Sequence, residues 1–214
     1  PSASERREEM MQAIKLDLED FTARVGHPFS DSALAGVLSK LPKLSEKGPW
    51  LAGGALRRTL LGVAPDSDFD FFFADKDQLD EFVSALPKKL KKVRETDHHV
   101  HYCGPLDGGQ KRDVQAIRFR FYDDAASVLD SFDFTICQFA FDGSTLTTTP
   151  EALFDLGRKR LAVHKVTYPV ATMRRLIKYS NQGFTACAGA MATLLRQTVE
   201  SPEALEQLDI EYVD

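Results

Sequence analysis

The stretch from Trp50 to Phe73 constrains this chain more than any other, because it sets a glycine pair, Gly53-Gly54, shortly before two alternating carboxylates, Asp68 and Asp70. The neighbours Phe69, Phe71, Phe72 and Phe73 favour extended backbone, so both carboxylates are predicted on one strand face, with Phe69 and Phe71 on the apolar side. Two hard oxygen ligands on one face suit Mg²⁺, which takes one or two carboxylates and completes its shell with phosphate oxygens and water. Upstream, Trp50-Leu51-Ala52 reads as a strand entry and Ala55 to Leu61 as a helix. Glycine between them lets N–H groups at the helix start approach an anion closely. The order describes a phosphate cradle beside a divalent-cation site.

The rest of the chain bounds this reading. Its 214 residues suffice for one substantial core, or a compact domain with a small helical appendage. Hydrophobic residues at 43% and charged residues at 28% describe an ordinary globular protein, and no apolar run approaches the length needed to cross a bilayer. Pro1 to Glu9 lacks an apolar signal core, which makes a cytoplasmic location the expectation. Cys103, Cys137 and Cys187 are odd in number and far apart, so reduced, buried thiols are expected, with no zinc site and no disulfide-linked partner. A net charge of −5 argues against broad nonspecific nucleic-acid binding and leaves room for local basic faces.

Periodicity predicts an amphipathic helix over residues 5 to 24 (Met10, Met11, Ile14, Leu18, Phe21) and a second after Ser30-Asp31 that runs to Pro42. A helix is expected over Asp77 to Leu86. Strands at 93–103 and 112–122 are expected to be joined through Gly104 to Gly109, with Asp107-Gly108 as the hairpin signal. A short helix at 124–131, a strand at 133–141 turned by Asp142-Gly143, and helices near 150–158, 169–181 and 186–199 complete an α+β architecture. His99 and His101 share a strand face, but no third ligand is near them in sequence, which favours a structural or surface role. Lys88, Lys89, Lys91, Lys92 and Arg94 read as a solvated helix end. A second basic concentration, Arg158 to Arg160 with His164, Lys165, Arg174, Arg175 and Lys178, is the better candidate for phosphate contact.

The Gly-Gly to Asp-x-Asp stretch resembles the head domain of the class II CCA-adding enzymes and bacterial poly(A) polymerases, within the DNA polymerase β-like nucleotidyltransferases. Gly53, Gly54, Arg57, Leu61 and Gly62 fall on the family's Gly-Gly-x-Val-Arg-Asp-x-x-Leu-Gly pattern. Arg58 replaces its Asp, and the linker to Asp68 is one residue longer than the family's. Three later segments follow in order: Ser131 to Asp142, Asp155 to Leu161, and Pro169 to Gly183-Phe184 with Arg174 between. In these, Ser131 and Phe132 stand where the family has two nucleotide-contacting arginines, and Cys137 stands in place of its Asn. Tyr168 and Ala171 occupy the base-selecting Asp and Arg positions. The resemblance therefore carries the fold but not templated C-then-A addition.

What the resemblance implies is a polymerase β-like nucleotidyltransferase fold, a small mixed sheet flanked by helices, followed by a C-terminal helical neck-like segment. It divides the chain into an N-terminal helical segment packed on the core (1–44), a head domain (45–165), and a neck-like segment with an acidic tail (166–214). It further implies Asp68, Asp70 and a third carboxylate as metal ligands and catalytic groups. Asp113, five residues before Arg118, is the choice for that third position over Asp133, of which a structural or substrate-side role is expected; the alternative for Asp113 is an acid flanking the hairpin turn. Gly53, Gly54, Arg57 and Arg174 would contact the nucleotide, since Arg57 follows Gly54 by nearly one helical turn. The expected activity moves a nucleoside monophosphate from ATP or another NTP to a hydroxyl, with two Mg²⁺ ions and pyrophosphate release. The acceptor stays open among an RNA or tRNA 3′ end, a protein and a small molecule. A binding module that has lost turnover is the remaining alternative. The expectation is a head domain retooled for an acceptor other than the family's own.

Overall fold

The computed structural model describes residues 13–17, 33–64, 68–106 and 108–200. They fall into two compact units, one reaching Ser131 and including Cys137–Pro150, the other made of Phe132–Ile136 and the residues from Glu151 onward.

The first unit contains β1 (Ile14–Asp17), α1 (Ala33–Leu38), β2 (Trp50–Ala52), α2 (Gly54–Leu60), β3 (Phe69–Phe72), α3 (Lys76–Ser84), β4 (Lys91–Glu95), β5 (His99–Pro105), β6 (Lys111–Ile117), α4 (Ala125–Asp130), β7 (Phe139–Phe141) and β8 (Thr145–Thr148). The described strands form one eight-stranded sheet in the order β1-β8-β7-β2-β3-β6-β5-β4. Every neighbouring pair is antiparallel except β3 with β6, which run parallel. Phe69, Phe71 and Phe73 are fully buried. The ring of Phe82, on α3, lies 4.7 Å from that of Phe71 and 5.3 Å from that of Phe73 between centroids, so α3 covers the apolar face of β3. The helix starts there because the Asp75 carboxylate accepts from the Gln78 N–H at 2.8 Å, a side-chain N-cap. Asp124 and Ser127 form a reciprocal capping box that starts α4 in the same way.

Several elements differ from expectation, each for a physical reason. Residues 14–17, inside the expected first helix, are a strand paired with β8; the ladder offered by β8 outweighs the local helical period there. Residues 5–12 and 18–24 of that expected helix lie outside the described residues. The expected strand at 93–103 is two strands. The Thr96 hydroxyl accepts from the N–H groups of His98 and His99, both at 3.2 Å, and turns the chain back on itself. Of the basic run, Lys91, Lys92 and Arg94 consequently sit on the wholly exposed β4, and Lys88 and Lys89 lie in the exposed turn before it. The strand expected at 112–122 ends at Ile117, and that expected at 133–141 is reduced to Phe139–Phe141, preceded by a 3₁₀ turn at Thr135–Cys137. Cys137 is buried, but Cys103 is half-buried and Cys187 exposed, contrary to the expectation of three buried thiols.

The second unit holds α5 (Pro150–Gly157), β9 (Arg160–Leu161), α6 (Pro169–Asn181), β10 (Thr185–Ala186) and α7 (Ala188–Glu200), close to the predicted helices. Two buried carboxylates organise it. Asp155 accepts from the Thr135 hydroxyl at 2.6 Å and lies 3.5 Å from Arg160 Nε, while Asp133 pairs with Arg175 at 2.8 Å. Part of the second basic concentration is thus engaged by internal acids.

At the junction of β2 and α2, Gly53 holds φ 83° and ψ −129°, a conformation that disfavours any residue bearing a Cβ. Replacing Gly53 with Ala is expected to destabilise the chain by about 1–3 kcal/mol, read as a lowered urea midpoint.

Candidate nucleotide and metal site

The parallel pairing of β3 with β6 builds the candidate site. Its register sets Phe69 against Val114, Asp70 against Gln115 and Phe71 against Ala116. Asp68 and Asp113 each stand one residue before the first of these pairs. By strand alternation Asp68, Asp70, Asp113 and Gln115 therefore share the sheet face opposite Phe69 and Phe71. The β5–β6 hairpin extends the face, with His101 opposite Gln115 and Cys103 opposite Asp113. On the other side Ala52 registers with Asp70, so the Gly53-Gly54 turn begins one residue beyond the partner of a proposed metal ligand.

The three expected carboxylates are thus assembled on one face, and two of them carry side-chain donors. Gln115 Nε2 donates to Asp68 Oδ2 at 2.6 Å, and His101 Nε2 lies 2.7 Å from Asp113 Oδ1. Burial, and then the hydrogen bond to Asp113, push the Cys103 thiol above its ordinary range. Among the described residues no group of three or more His, Cys, Asp or Glu side chains is arranged to hold a metal ion. An open set of hard oxygens is nonetheless the donor chemistry that Mg²⁺ uses with a nucleotide, because that ion keeps positions for phosphate and water. The residues fit the ion on that ground.

The remaining expected residues stand differently. The Gly53 N–H donates to the Phe139 carbonyl at 3.0 Å within the sheet, so Gly53 serves the turn and an anion would meet the amides that follow it. Arg57 is only 2% exposed and donates from Nη1 to the Cys137 sulfur at 3.3 Å. The guanidinium expected on a triphosphate is directed into the first unit, onto the residue that replaces the family's Asn. Arg58 Nε donates to the Ala64 carbonyl at 2.8 Å. Arg174 is half-buried on α6, in the second unit. Sequence reasoning did not reach Gln115, and it gave His101 a structural or surface role. Alternation around Asp113 could have exposed Gln115, whereas His101 required the hairpin register.

A cavity of about 430 Å³ opens on the opposite face, lined by Leu79, Val100, Tyr102 and Phe121 among others. Its charged groups neutralise one another: Lys76 with Asp80, and Glu95 with both Lys92 at 2.8 Å and Arg118 at 2.7 Å. Those pairs leave it a poor competitor for a triphosphate.

Solved structures define the class. The chain is similar in fold to the Thermotoga maritima CCA-adding enzyme complexed with tRNA, with a TM-score of 0.56 and 20% identity over 91% of this chain and 47% of that one. It is also similar to a CCA-adding enzyme in complex with ATP, with a TM-score of 0.56 and 22% identity over 91% of this chain and 47% of that one. The fold is therefore nucleotidyltransferase-like, a mixed α+β arrangement, as the sequence resemblance implied.

The family is a different one from the CCA-adding enzymes. The model of the Gabija anti-defense 2 family protein matches residues 20–159, and the chain belongs to that family. Gabija anti-defense 2 of Bacillus phage SPbetaL7 is 33% identical over 138 residues, which cover 63% of this chain and 33% of the relative, so the chain spans about a third of that relative's length. Among the described residues no helix is long and apolar enough to cross a membrane.

His99, on the same strand face as His101, carries a testable signature. Burial first, then the positive fields of His101, Arg94 and His98, lower its pKa from the ordinary 6.5, opposed by Asp68. The unfolded chain therefore takes up this proton more readily than the folded one. The stability His99 contributes is present above pH 6.5 and lost as the pH falls below it. A His99→Gln chain should show a shallower decline of its urea midpoint between about pH 7.5 and 5.5 than the unaltered chain.

Proposed function

We propose that this chain is a metal-dependent nucleotidyltransferase that moves a nucleoside monophosphate from an NTP to a hydroxyl acceptor, in the service of phage counter-defence. The observation that carries the reading is the register that sets Asp68, Asp70 and Asp113 on one sheet face, beside the turn at Gly53-Gly54. Asp68 and Asp70 would hold Mg²⁺, and Asp113 would offer a further carboxylate oxygen, with positions left for phosphate and water. Mg²⁺ bound there supplies charge stabilisation to the α-phosphate and to departing pyrophosphate.

The residues supply the remainder. The amides after Gly53 cradle phosphate oxygens. One carboxylate of the trio takes the acceptor's proton as the new O–P bond forms and the bond between α-phosphate and pyrophosphate breaks. An RNA 3′ end is the first acceptor to test, because one structural neighbour, a CCA-adding enzyme, is complexed with tRNA; proteins and small hydroxyl compounds follow. The curated relative's name points to Gabija as the defence opposed. One observation favours a second reading, a nucleotide-binding module without turnover: Arg57 is buried against Cys137.

Labelled NTPs offered with Mg²⁺ to RNA, to protein and to small hydroxyl compounds should transfer label to one acceptor class. Asp68→Asn and Asp70→Asn should each cut that transfer by at least about 100-fold with circular dichroism unchanged. Metal-dependent NTP binding without transfer to any acceptor would favour the binding module.

A further inference from the structure

Two of the three proposed metal-binding carboxylates are held by donors that the transfer reaction does not itself require. Gln115 Nε2 donates to Asp68 Oδ2 at 2.6 Å, and His101 Nε2 lies 2.7 Å from Asp113 Oδ1. We propose that Gln115 and His101 are positioning residues, which fix the carboxylates of Asp68 and Asp113 in the orientation that receives the cation. The inference rests on the site proposed above and adds residues to it.

Strand geometry gives both contacts their direction. Gln115 registers with Asp70 on one side and with His101 on the other, so it occupies the middle of the acidic face. From there its amide reaches diagonally to Asp68. The ring of His101 reaches diagonally in turn from β5 to Asp113 on β6. The His101 side chain is 22% exposed against 41% for that of Asp113, so the enclosed partner anchors the open one. The donor chosen for Asp68 is a neutral amide, which cannot lose its proton and adds no negative charge to a face that already carries three acids. A carboxylate turns freely about its last torsion, and a donor on one oxygen selects which oxygen faces the ion. Partners of this kind commonly set metal affinity within a factor of about 10–100. A merely structural hydrogen bond would leave that affinity untouched.

The test uses the full chain and Mn²⁺ as probe, with free Mn²⁺ read by electron paramagnetic resonance, in the presence and absence of ATP. Gln115→Leu and His101→Phe are expected to weaken Mn²⁺ binding about 10–100-fold. His101→Gln, which keeps an N–H near the same place, should restore most of the affinity, and circular dichroism should be unchanged in all three. If His101→Phe fails to fold, His101→Gln and Gln115→Leu carry the test alone. Wild-type Mn²⁺ affinity in Gln115→Leu and His101→Phe, with binding lost in Asp68→Asn, would overturn the positioning role and leave the metal site standing. An unaltered chain that binds no Mn²⁺ would overturn both.

Discussion

The parallel ladder between β3 and β6 is the constraint on which the rest of the molecule depends. Side chains alternate along a strand, so a slip of one residue in this register would bring Phe69 and Phe71 to the acidic face and send Asp70 into the core. The buried aromatic rings, packed on Phe82, oppose that slip with apolar area. A parallel pair also cannot be closed by a tight turn. The intervening chain makes a long excursion through α3, β4 and β5, and its return as a hairpin lays His101 and Cys103 beside the acids. Core packing and the candidate chemistry are two sides of one register.

Much of this was legible in the residues. Alternation of Asp68 and Asp70 with phenylalanines specifies a strand and both of its faces, and the glycine pair marks a turn that only glycine makes comfortably. What stayed hidden depended on partners distant in sequence. β1 forms because Ile14 meets Thr148 across more than half of the chain, information that a helical period within residues 5 to 24 cannot contain. The break between β4 and β5 depends on the Thr96 hydroxyl capturing two backbone N–H groups, a choice that strand propensity does not register. The surroundings of Arg57 were hidden for a related reason. Helical spacing gives its direction from the axis but not the thiol waiting in a segment eighty residues on.

Fold and family carry different weight here. The likeness to CCA-adding enzymes is one of architecture, at identities near 20%, whereas the family match is to Gabija anti-defense 2, and the aligned segment covers a third of the phage relative of that name. The substitutions agree among themselves. Cys137 is a weak hydrogen-bond partner compared with Asn, and it sits where Arg57 has become a buried cation. Ser131 donates its hydroxyl to the Val128 carbonyl and closes α4, where the resemblance would have an arginine reaching for nucleotide. At these positions the side chains make internal contacts where the resemblance would have ligand recognition, while the acids and the glycine turn match it.

The two ends of the sheet are finished in contrasting ways. At one end a segment from early in the chain pairs with β8. At the other, β4 presents Lys91, Lys92 and Arg94 along an exposed ribbon whose register is broken between Lys92 and Arg94. Lysines and an irregular ladder discourage a second chain from adding its own strand there. The side of the sheet nearest the acids is thereby guarded against edge-to-edge polymerisation, and it can stay open to small ligands without inviting aggregation.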